Sequence, residues 1–327
     1  MILDQARRHR HAVWIVGCLF LLLWGLSLVL REPYSGVLYP GERAEAVTHE
    51  LLFFVKNWWT QSPWSLGFTM PYLPYSVESS TLATRSELYN WYPPGVLVIP
   101  WLVAVIFGQE PTLNLLAAVN LGEHLVLIGG LGYTAYLLSR CLDFPEAMNA
   151  CLAVSVAAIA TFSPGPMYWF LRVYIWDVSV VSLFAVFMLL EAACLYHDRA
   201  ALGPGRIPAD WNGYRTAQIA VALCGMWTEW LFFFVYLVWG PLVAFRIVQH
   251  RRRQGLFPAG LVLVMPVLTF ASIQIWRLQA PDSICAASGG GPQATSCTVR
   301  ASLTRRREQC RWPGSICGST RTIWRSI

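Results

Sequence analysis

The sequence predicts an all-α protein: a polytopic transmembrane helical bundle of about seven spans, with a long extracytoplasmic first loop that contains interfacial helices. Three observations predict it. Of the 327 residues, 56% are apolar and 13% are charged, which is about half the charged fraction of a soluble domain. The apolar residues cluster into runs near the ~20 residues that cross a bilayer. The 16 Trp fit the same class, because Trp favours membrane interfaces.

Seven apolar runs give the expected spans. In chain order they are Ala12–Leu30, Leu113–Leu138, Ala147–Phe162, Val178–Tyr196, Thr216–Trp227, Leu231–Val248 and Leu256–Trp276. A shorter run, Pro94–Phe107, is expected to dip into the membrane and return. If this run does not cross the membrane, three basic sites face the cytoplasm, as the positive-inside rule requires. They are Arg140, the Arg199–Arg215 loop and the Arg251–Arg253 cluster. Residues 31–111 then form the long extracytoplasmic loop.

The charge pattern sets the expected location and excludes some functions. The net charge of +6 does not indicate nucleic-acid binding, because the basic residues lie in short loops beside apolar runs. Lys56 is the single Lys and all other Lys/Arg positions are Arg, which is typical of a GC-rich coding sequence. We therefore expect a multi-pass protein of the bacterial inner membrane with a cytoplasmic N-terminus. Since no P-loop, dinucleotide glycine pattern, HExxH or paired CxxC occurs, neither a cofactor nor a metal is expected.

The chain changes character at about Pro281. Residues 284–327 are rich in Ser, Gly, Arg and Cys, without helical or strand periodicity. In this topology their Arg residues lie outside, against the charge rule. We expect a transmembrane domain over residues 1–280 and a disordered, non-native tail over residues 281–327, such as a frameshifted reading that truncates a longer parent. A disulfide-stapled outer domain is the alternative that the four Cys of the tail leave open.

The long loop carries the first candidate site, in a helical stretch over Glu42–Trp59. Glu42, Glu45 and His49 recur at spacings of three and four, so they share one helix face. Apolar residues supply surface for a helix that lies along the membrane: Leu52, Phe53, Trp58 and Trp59. A carboxylate held there can act as a general base on an incoming hydroxyl. A solvated polar face is the alternative.

Two further stretches suit a lipid-phosphate substrate. Tyr89 and Tyr92 precede the rigid turn Pro93-Pro94-Gly95 and are typical of either interfacial aromatics or a sugar-facing wall. Arg172 and Asp177 follow the third span, as either a surface ion pair or a phosphate site. Arg suits a phosphate because its planar fork gives paired, charge-assisted hydrogen bonds.

Acidic groups at membrane depth usually face a cavity, since burying them in lipid is costly. Glu123, beside His124, lies within an apolar run, and Glu229 lies between two runs. Glu123 is the deeper of the two carboxyl groups, whereas Glu229 is also compatible with a position at the membrane interface.

The order of these features resembles the GT-C glycosyltransferases that use polyprenyl-phosphate sugars, such as aminoarabinose transferases and protein O-mannosyltransferases. In that family an acidic motif follows the first span, a Pro-Pro motif comes later in the same loop, and a dipping segment ends in Phe-Gly. The matching motifs are Gly41-Glu42, Tyr92-Pro93-Pro94, Phe107-Gly108, Ser163-Pro164, and Arg172 with Asp177. The match covers roughly residues 12–280. The family's acidic motif is commonly Asp-Glu, whereas its first position here is Gly41.

The resemblance implies a membrane glycosyltransferase that moves a sugar, with inversion, from a polyprenyl-phosphate donor to a lipid, glycan or protein acceptor at the extracytoplasmic face. Glu42 or Glu45 would be the base. The residues expected to contact substrate are Tyr89, Tyr92, Arg172, Asp177, His49 and Glu229. Two alternatives stay open. A lipid or solute transporter would place charged groups along several spans, and a non-catalytic membrane protein or truncated, inactive fragment would account for Gly41 and the tail.

Overall fold

The computed structural model describes residues 2–31, 43–71, 88–89, 93–172, 174, 176–202, 213–251 and 256–287. The α-helices in these ranges are α1 Ile2–Arg31, α2 Arg43–Gln61, α3 Val98–Phe107, α4 Leu113–Cys141, α5 Glu146–Phe162, α6 Pro164–Arg172, α7 Trp176–Leu202, α8 Gly213–Thr228, α9 Leu231–Arg251 and α10 Leu256–Ala287. A 3₁₀ turn, Pro94–Leu97, leads into α3. The two-residue strands β1 Met70–Pro71 and β2 Leu88–Tyr89 pair antiparallel. The all-α prediction is confirmed.

Among the described residues, three helical segments are long and apolar enough to cross a membrane: His11–Leu30, Leu113–Cys141 and Asp177–His197. A fourth results if α5 and α6 form one span, bent by 58° at Ser163. Every run predicted to span lies within a helix. However, α8 has 16 residues and a length of about 24 Å, less than the ~30 Å of a bilayer core. The membrane class is therefore supported, whereas the count of seven exceeds these three or four segments.

The bundle is organised around α4, which packs against α5 on one side and α7 on the other. Small residues permit the close approach of these helices, as is typical of membrane bundles. Ala153 and Ala157 of α5 are fully buried beside Ile128 of α4. At Gly130 an added Cβ would lie 2.9 Å from the backbone carbon of Ala185 in α7, so this crossing requires glycine. A second core of α7, α8, α9 and α10 surrounds Phe187 and Tyr236.

Helix α2 packs on the protein, which differs from the expected membrane-surface helix. Its buried stripe, Leu51, Phe54, Val55 and Trp58, meets the 3₁₀ turn, α4 and Tyr174. Trp58 Nε1 donates to the backbone oxygen of Thr69 at 2.8 Å, which folds the following loop back against α2. We call α2, the loop of residues 62–69, the 3₁₀ turn and α3 the α2–α3 layer. Trp276 of α10 also contacts this layer, where its Nε1 donates to Gly67 O at 2.8 Å.

The end of α10 lies beyond the predicted boundary of the tail. The helix continues through Pro281 to Ala287, although the composition changes at Pro281. Residues 288–327 are outside the described part of the chain. The expectation of a disordered, non-native tail therefore stays a prediction for those residues.

Candidate functional site

Tyr174 forms the centre of the candidate site, in the connector of residues 173–175 between α6 and α7. Its side chain is buried, and its hydroxyl donates to the backbone oxygen of Val96 in the 3₁₀ turn at 2.9 Å. Its backbone N–H donates to the Thr48 hydroxyl of α2 at 3.2 Å. Burial raises the pKa of Tyr174 well above its ordinary value, so the hydroxyl keeps its proton and remains a donor. We call this meeting of connector, α2 and 3₁₀ turn the Tyr174 junction.

The Tyr174 junction brings together stretches that the sequence singles out separately. Thr48 lies beside His49 and within one turn of Glu45 on α2. The connector lies between Arg172 at the end of α6 and Asp177 in the first turn of α7. The backbone of the helix that carries the candidate base Glu45 therefore lies against Tyr174, which is two residues after Arg172 and three before Asp177.

Beneath the Tyr174 junction, Glu123 of α4 joins the network through Ser179 of α7. The Ser179 hydroxyl oxygen lies 2.9 and 3.0 Å from the two carboxyl oxygens of Glu123. It also lies 3.2 Å from the hydroxyl oxygen of Tyr174. One turn further along α7, Ser182 donates to the backbone oxygen of Glu123 at 2.9 Å. The buried carboxyl group thus lies among hydroxyl groups that link α4, α7 and the connector.

His124, the next residue of α4, faces α5 and α6 instead. Its ring stacks on Phe170 with centroids 4.9 Å apart, and its Nε2 lies 3.4 Å from the Ala160 backbone oxygen. An apolar groove of about 370 Å³ opens beside Ala160 at the bend between α5 and α6. The other residues that line it are Leu127, Leu131, Val156, Ile159, Ser163, Pro166 and Val181.

Asp177 and Glu229 lie close enough to interact. Asp177 is exposed in the first turn of α7, and Glu229 is half-buried between α8 and α9. The Glu229 carboxylate accepts the backbone N–H of Leu231 at 2.7 Å, at the start of α9. Burial raises the pKa of Glu229, and the negative charge of Asp177 raises it further. The charges of two residues predicted from separate stretches therefore interact.

The Pro-Pro-Gly turn lies against the same corner of the bundle. Pro93 and Pro94 are buried, and an added Cβ at Gly95 would lie 2.4 Å from the backbone oxygen of Trp227 at the end of α8. Only glycine permits this approach without movement of the backbone. Since Glu229 is two residues beyond Trp227, the turn, the α8–α9 corner and the connector form one continuous region.

The remaining predicted site residues are described only in part. Glu42 and Tyr92 lie outside the described residues. The backbone alone is described for Glu45 in α2, Tyr89 in β2 and Arg172 in α6. His49 is exposed on α2. In the described part of the chain, no group of three or more His, Cys, Asp or Glu side chains could hold a metal ion. The catalytic and binding roles therefore stay predictions.

Sequence reasoning missed Thr48, Tyr174 and Ser179. Two of them left a weak signal. Tyr174 stands between Arg172 and Asp177, and Ser179 with Ser182 places two hydroxyls on one face of an apolar helix. Thr48 left none, because a hydroxyl that accepts from a distant backbone N–H produces no sequence pattern.

Comparison with known proteins adds no relative: no protein family, curated protein or solved structure matches the chain. The class is therefore defined by the fold and the site. Apart from two two-residue strands, the described residues are helices and their connections, with three helical segments long and apolar enough to cross a membrane, or four with the bent pair. A buried polar junction lies where α2, the 3₁₀ turn and the α6–α7 connector meet.

Proposed function

We propose that the chain is a membrane glycosyltransferase that uses a polyprenyl-phosphate sugar, or the N-terminal part of one, at the extracytoplasmic face of the bacterial inner membrane. The observation that carries this proposal is the Tyr174 junction. The resemblance to GT-C enzymes assigns the base to the Glu42–Trp59 stretch, the pocket wall to the stretch before the 3₁₀ turn and the donor phosphate to Arg172 and Asp177, on either side of the connector. A transfer reaction needs these groups within reach of one another.

The proposed reaction is a single displacement. Glu42 or Glu45 takes the proton of an acceptor hydroxyl, whose oxygen then attacks the sugar's anomeric carbon. The bond from that carbon to the phosphate oxygen breaks, and polyprenyl phosphate leaves. Arg172 stabilises the charge of the leaving phosphate through paired hydrogen bonds, oriented by Asp177. The apolar groove beside the α5–α6 bend offers space for a hydrocarbon chain, which supports a lipid substrate.

The proposed topology has seven spans, a cytoplasmic N-terminus and an extracytoplasmic α2–α3 layer. It follows from the positive-inside rule together with the helices found at every predicted run. Thiol labelling of sealed cells tests it in a background without native Cys. We expect an Ala46→Cys variant to react with an impermeant reagent and an Arg252→Cys variant to stay unlabelled. The opposite pattern would contradict the topology.

Activity is tested with the purified chain in vesicles that contain a polyprenyl-phosphate sugar, with a radiolabelled sugar and a photoreactive lipid, and an inner-membrane extract as the source of the acceptor hydroxyl. We expect wild-type protein to crosslink the donor lipid and to release polyprenyl phosphate. Glu42→Gln, Glu45→Gln or the double variant should lose transfer but keep crosslinking, whereas Arg172→Ala should lose crosslinking. Glu110→Gln is the matched control, because Glu110 forms an exposed ion pair with Lys56. Absence of crosslinking by wild-type protein, or full activity of the double variant, contradicts the proposal.

A transporter is the second candidate, because Glu123 and His124 are buried at adjacent positions of a membrane-length helix. It predicts that the labelled lipid moves between the leaflets of the same vesicles without loss of its sugar. Release of the sugar without leaflet exchange favours the transferase, and exchange with the sugar intact favours the transporter.

A further inference from the structure

Glu123 is a buried carboxyl group that the proposed reaction does not use. It is 7% exposed, in a helix long enough to cross a membrane. Its side-chain partners are the hydroxyls of Ser179 and Tyr174, and no described Lys or Arg pairs with it. A lone ionised carboxylate at this depth is costly, whereas a neutral acid is both cheaper to bury and able to donate a hydrogen bond.

The hydrogens available to these oxygens define a direction. Val96 contributes a carbonyl oxygen, which only accepts, so the single hydroxyl hydrogen of Tyr174 points to it. Tyr174 can then only accept from Ser179, whose one hydrogen is used in that contact. The oxygen of Ser179 is left to accept from Glu123, which requires a proton on the carboxyl group. The Tyr174 hydroxyl also contacts the Glu123 carboxyl group, so four contacts draw on the hydrogens of Tyr174, Ser179 and Glu123. An ionised Glu123 leaves two hydrogens for these contacts and a neutral acid leaves three, so the neutral form satisfies more of them.

We propose that Glu123 is a positioning residue that holds the α6–α7 connector as a neutral carboxylic acid, in a chain that runs from Glu123 through Ser179 and Tyr174 to the backbone oxygen of Val96. The chain fixes the connector between α4, α7 and the 3₁₀ turn. It thereby sets the position of the residues on either side of the connector, Arg172 and Asp177. Only its effect on transfer rests on the proposed function, since the hold on the connector rests on the hydrogen bonds themselves.

Few titratable groups surround Glu123 in the described part of the chain. Tyr174 faces it from the connector. His124 is directed away, toward Ala160 of α5 and Phe170 of α6. Asp177 is exposed in the first turn of α7, and α7 faces Glu123 with the neutral Ser179 and Ser182. The neutral form of Glu123 is therefore set mainly by burial among hydroxyl groups.

The backbone amide of Tyr174, which donates to the Thr48 hydroxyl, is the probe of the connector's position and is followed by hydrogen exchange in micelles. We expect Glu123→Ala to speed exchange of this amide about tenfold, because the connector loses a buried hydrogen-bond chain. Glu123→Gln should restore the parent rate, since its amide donates as the neutral acid does. Thr134→Val is the control: among the described residues, the hydroxyl of this buried α4 residue bonds within its own helix, to Gly130 O. An unchanged rate in Glu123→Ala, or Glu123→Gln behaving like Glu123→Ala, overturns the proposal.

Two further measurements separate this inference from the proposed function. Infrared difference spectra between wild type and Glu123→Gln should contain the carbonyl band of a protonated carboxyl group, and a carboxylate band instead would overturn the neutral form. In the transfer assay, Glu123→Ala should raise the donor KM about tenfold with a smaller change in kcat, and Glu123→Gln should restore it. If the probe and infrared results hold while no transfer is found, the proposed function fails and the role of Glu123 stands.

Discussion

Two carboxyl groups inside the bundle, the buried Glu123 of α4 and the largely buried Glu191 of α7, are accommodated in opposite ways. Glu123 lies among hydroxyls, whereas Glu191 forms an ion pair with Arg215 of α8, with side chains 16% and 12% exposed. Gln218 Nε2 and Trp239 Nε1 each donate to the same Glu191 oxygen at 3.0 Å. A carboxyl group at membrane depth can therefore be stabilised by a cation or by a chain of neutral donors, and the choice determines which elements it binds together.

The two networks divide the molecule. The Glu191 network holds α7, α8 and α9 together, and the Arg215 guanidinium lies over the Trp239 ring, 5.5 Å from its centroid. The Glu123 network holds the connector and, through it, the α2–α3 layer. Helix α7 carries both Ser179 and Glu191, about 18 Å apart along its axis. Helix α7 therefore belongs to both the charged Glu191 network and the neutral Glu123 network and connects them.

Of the substitutions that test this comparison, removal of Arg215 should reduce the free energy of unfolding most. Arg215→Ala leaves Glu191 without its cation and should reduce the free energy of unfolding by about 3–5 kcal/mol. Denaturant unfolding in mixed micelles measures it. Arg199→Ala is the control: its ion pair with Asp143 is 41% and 75% exposed, so the loss should stay below about 1 kcal/mol. Equal losses for the two variants would show that the Glu191 pair behaves as a surface pair.

Replacing each carboxyl group with an amide distinguishes the charged network from the neutral one. Glu191→Gln should cost about 3 kcal/mol, because it leaves the Arg215 charge buried without its partner. Glu123→Gln should cost less than about 1 kcal/mol, because an amide replaces a neutral acid of similar shape. The same micelle unfolding experiment compares them. If Glu123→Gln is as destabilising as Glu191→Gln, both networks depend on a negative charge.

The contact between the 3₁₀ turn and α8 joins the two regions and should be sensitive to a single methyl group. Gly95→Ala places a Cβ against the Trp227 backbone and should destabilise the protein by about 1–3 kcal/mol. Gly122→Ala is the matched control, because nothing lies within 4 Å of its added Cβ, and we expect a gain of about 1 kcal/mol. Thermal unfolding measures both variants, and a neutral Gly95→Ala would contradict the close approach.

The smallest expected effect is the pH dependence at Glu229. Because its folded-state pKa is raised, its contribution to stability is full below the ordinary Glu pKa and is lost as pH rises through the raised value. Asp177→Asn should reduce this dependence without abolishing it, since burial is the larger cause. The melting temperature from about pH 4 to 8 measures it. Asp143→Asn changes an exposed residue elsewhere and should leave the pH dependence due to Glu229 intact. If Asp177→Asn also leaves this pH dependence unchanged, the charges of Asp177 and Glu229 do not interact.

The sequence was sufficient to predict the long apolar helices and α2, because apolar runs and the 3.6-residue period of α2 depend on local chemistry alone. It did not predict α6, Pro164–Arg172, as a helix. The sequence was not sufficient to predict whether α2 packs against lipid or against protein. The stripe with Leu51, Phe54 and Trp58 has the same pattern whether lipid or protein covers it, and here it is protein. Only packing distinguishes the two.

The candidate site likewise has features that the sequence predicted and one that only the fold reveals. Asp177 and Glu229 were predicted from their charge next to apolar runs, and their charges interact in the fold. The bond that assembles the Tyr174 junction joins Tyr174 to Thr48, 126 residues apart, through a backbone amide. Such a bond depends on the tertiary arrangement, so no local sequence pattern predicts it.

The hydrogen bond from Trp276 to Gly67 sets an order for biogenesis. It joins residues 209 apart in sequence. Because a chain is made from its N-terminus, Gly67 leaves the ribosome long before Trp276 is synthesised. Until α10 has been synthesised and has packed in place, the loop after α2 lacks this partner. The α2–α3 layer is therefore translated early but completed late, and a nascent chain halted before Trp276 would present its Gly67 carbonyl group to water or to the insertion machinery.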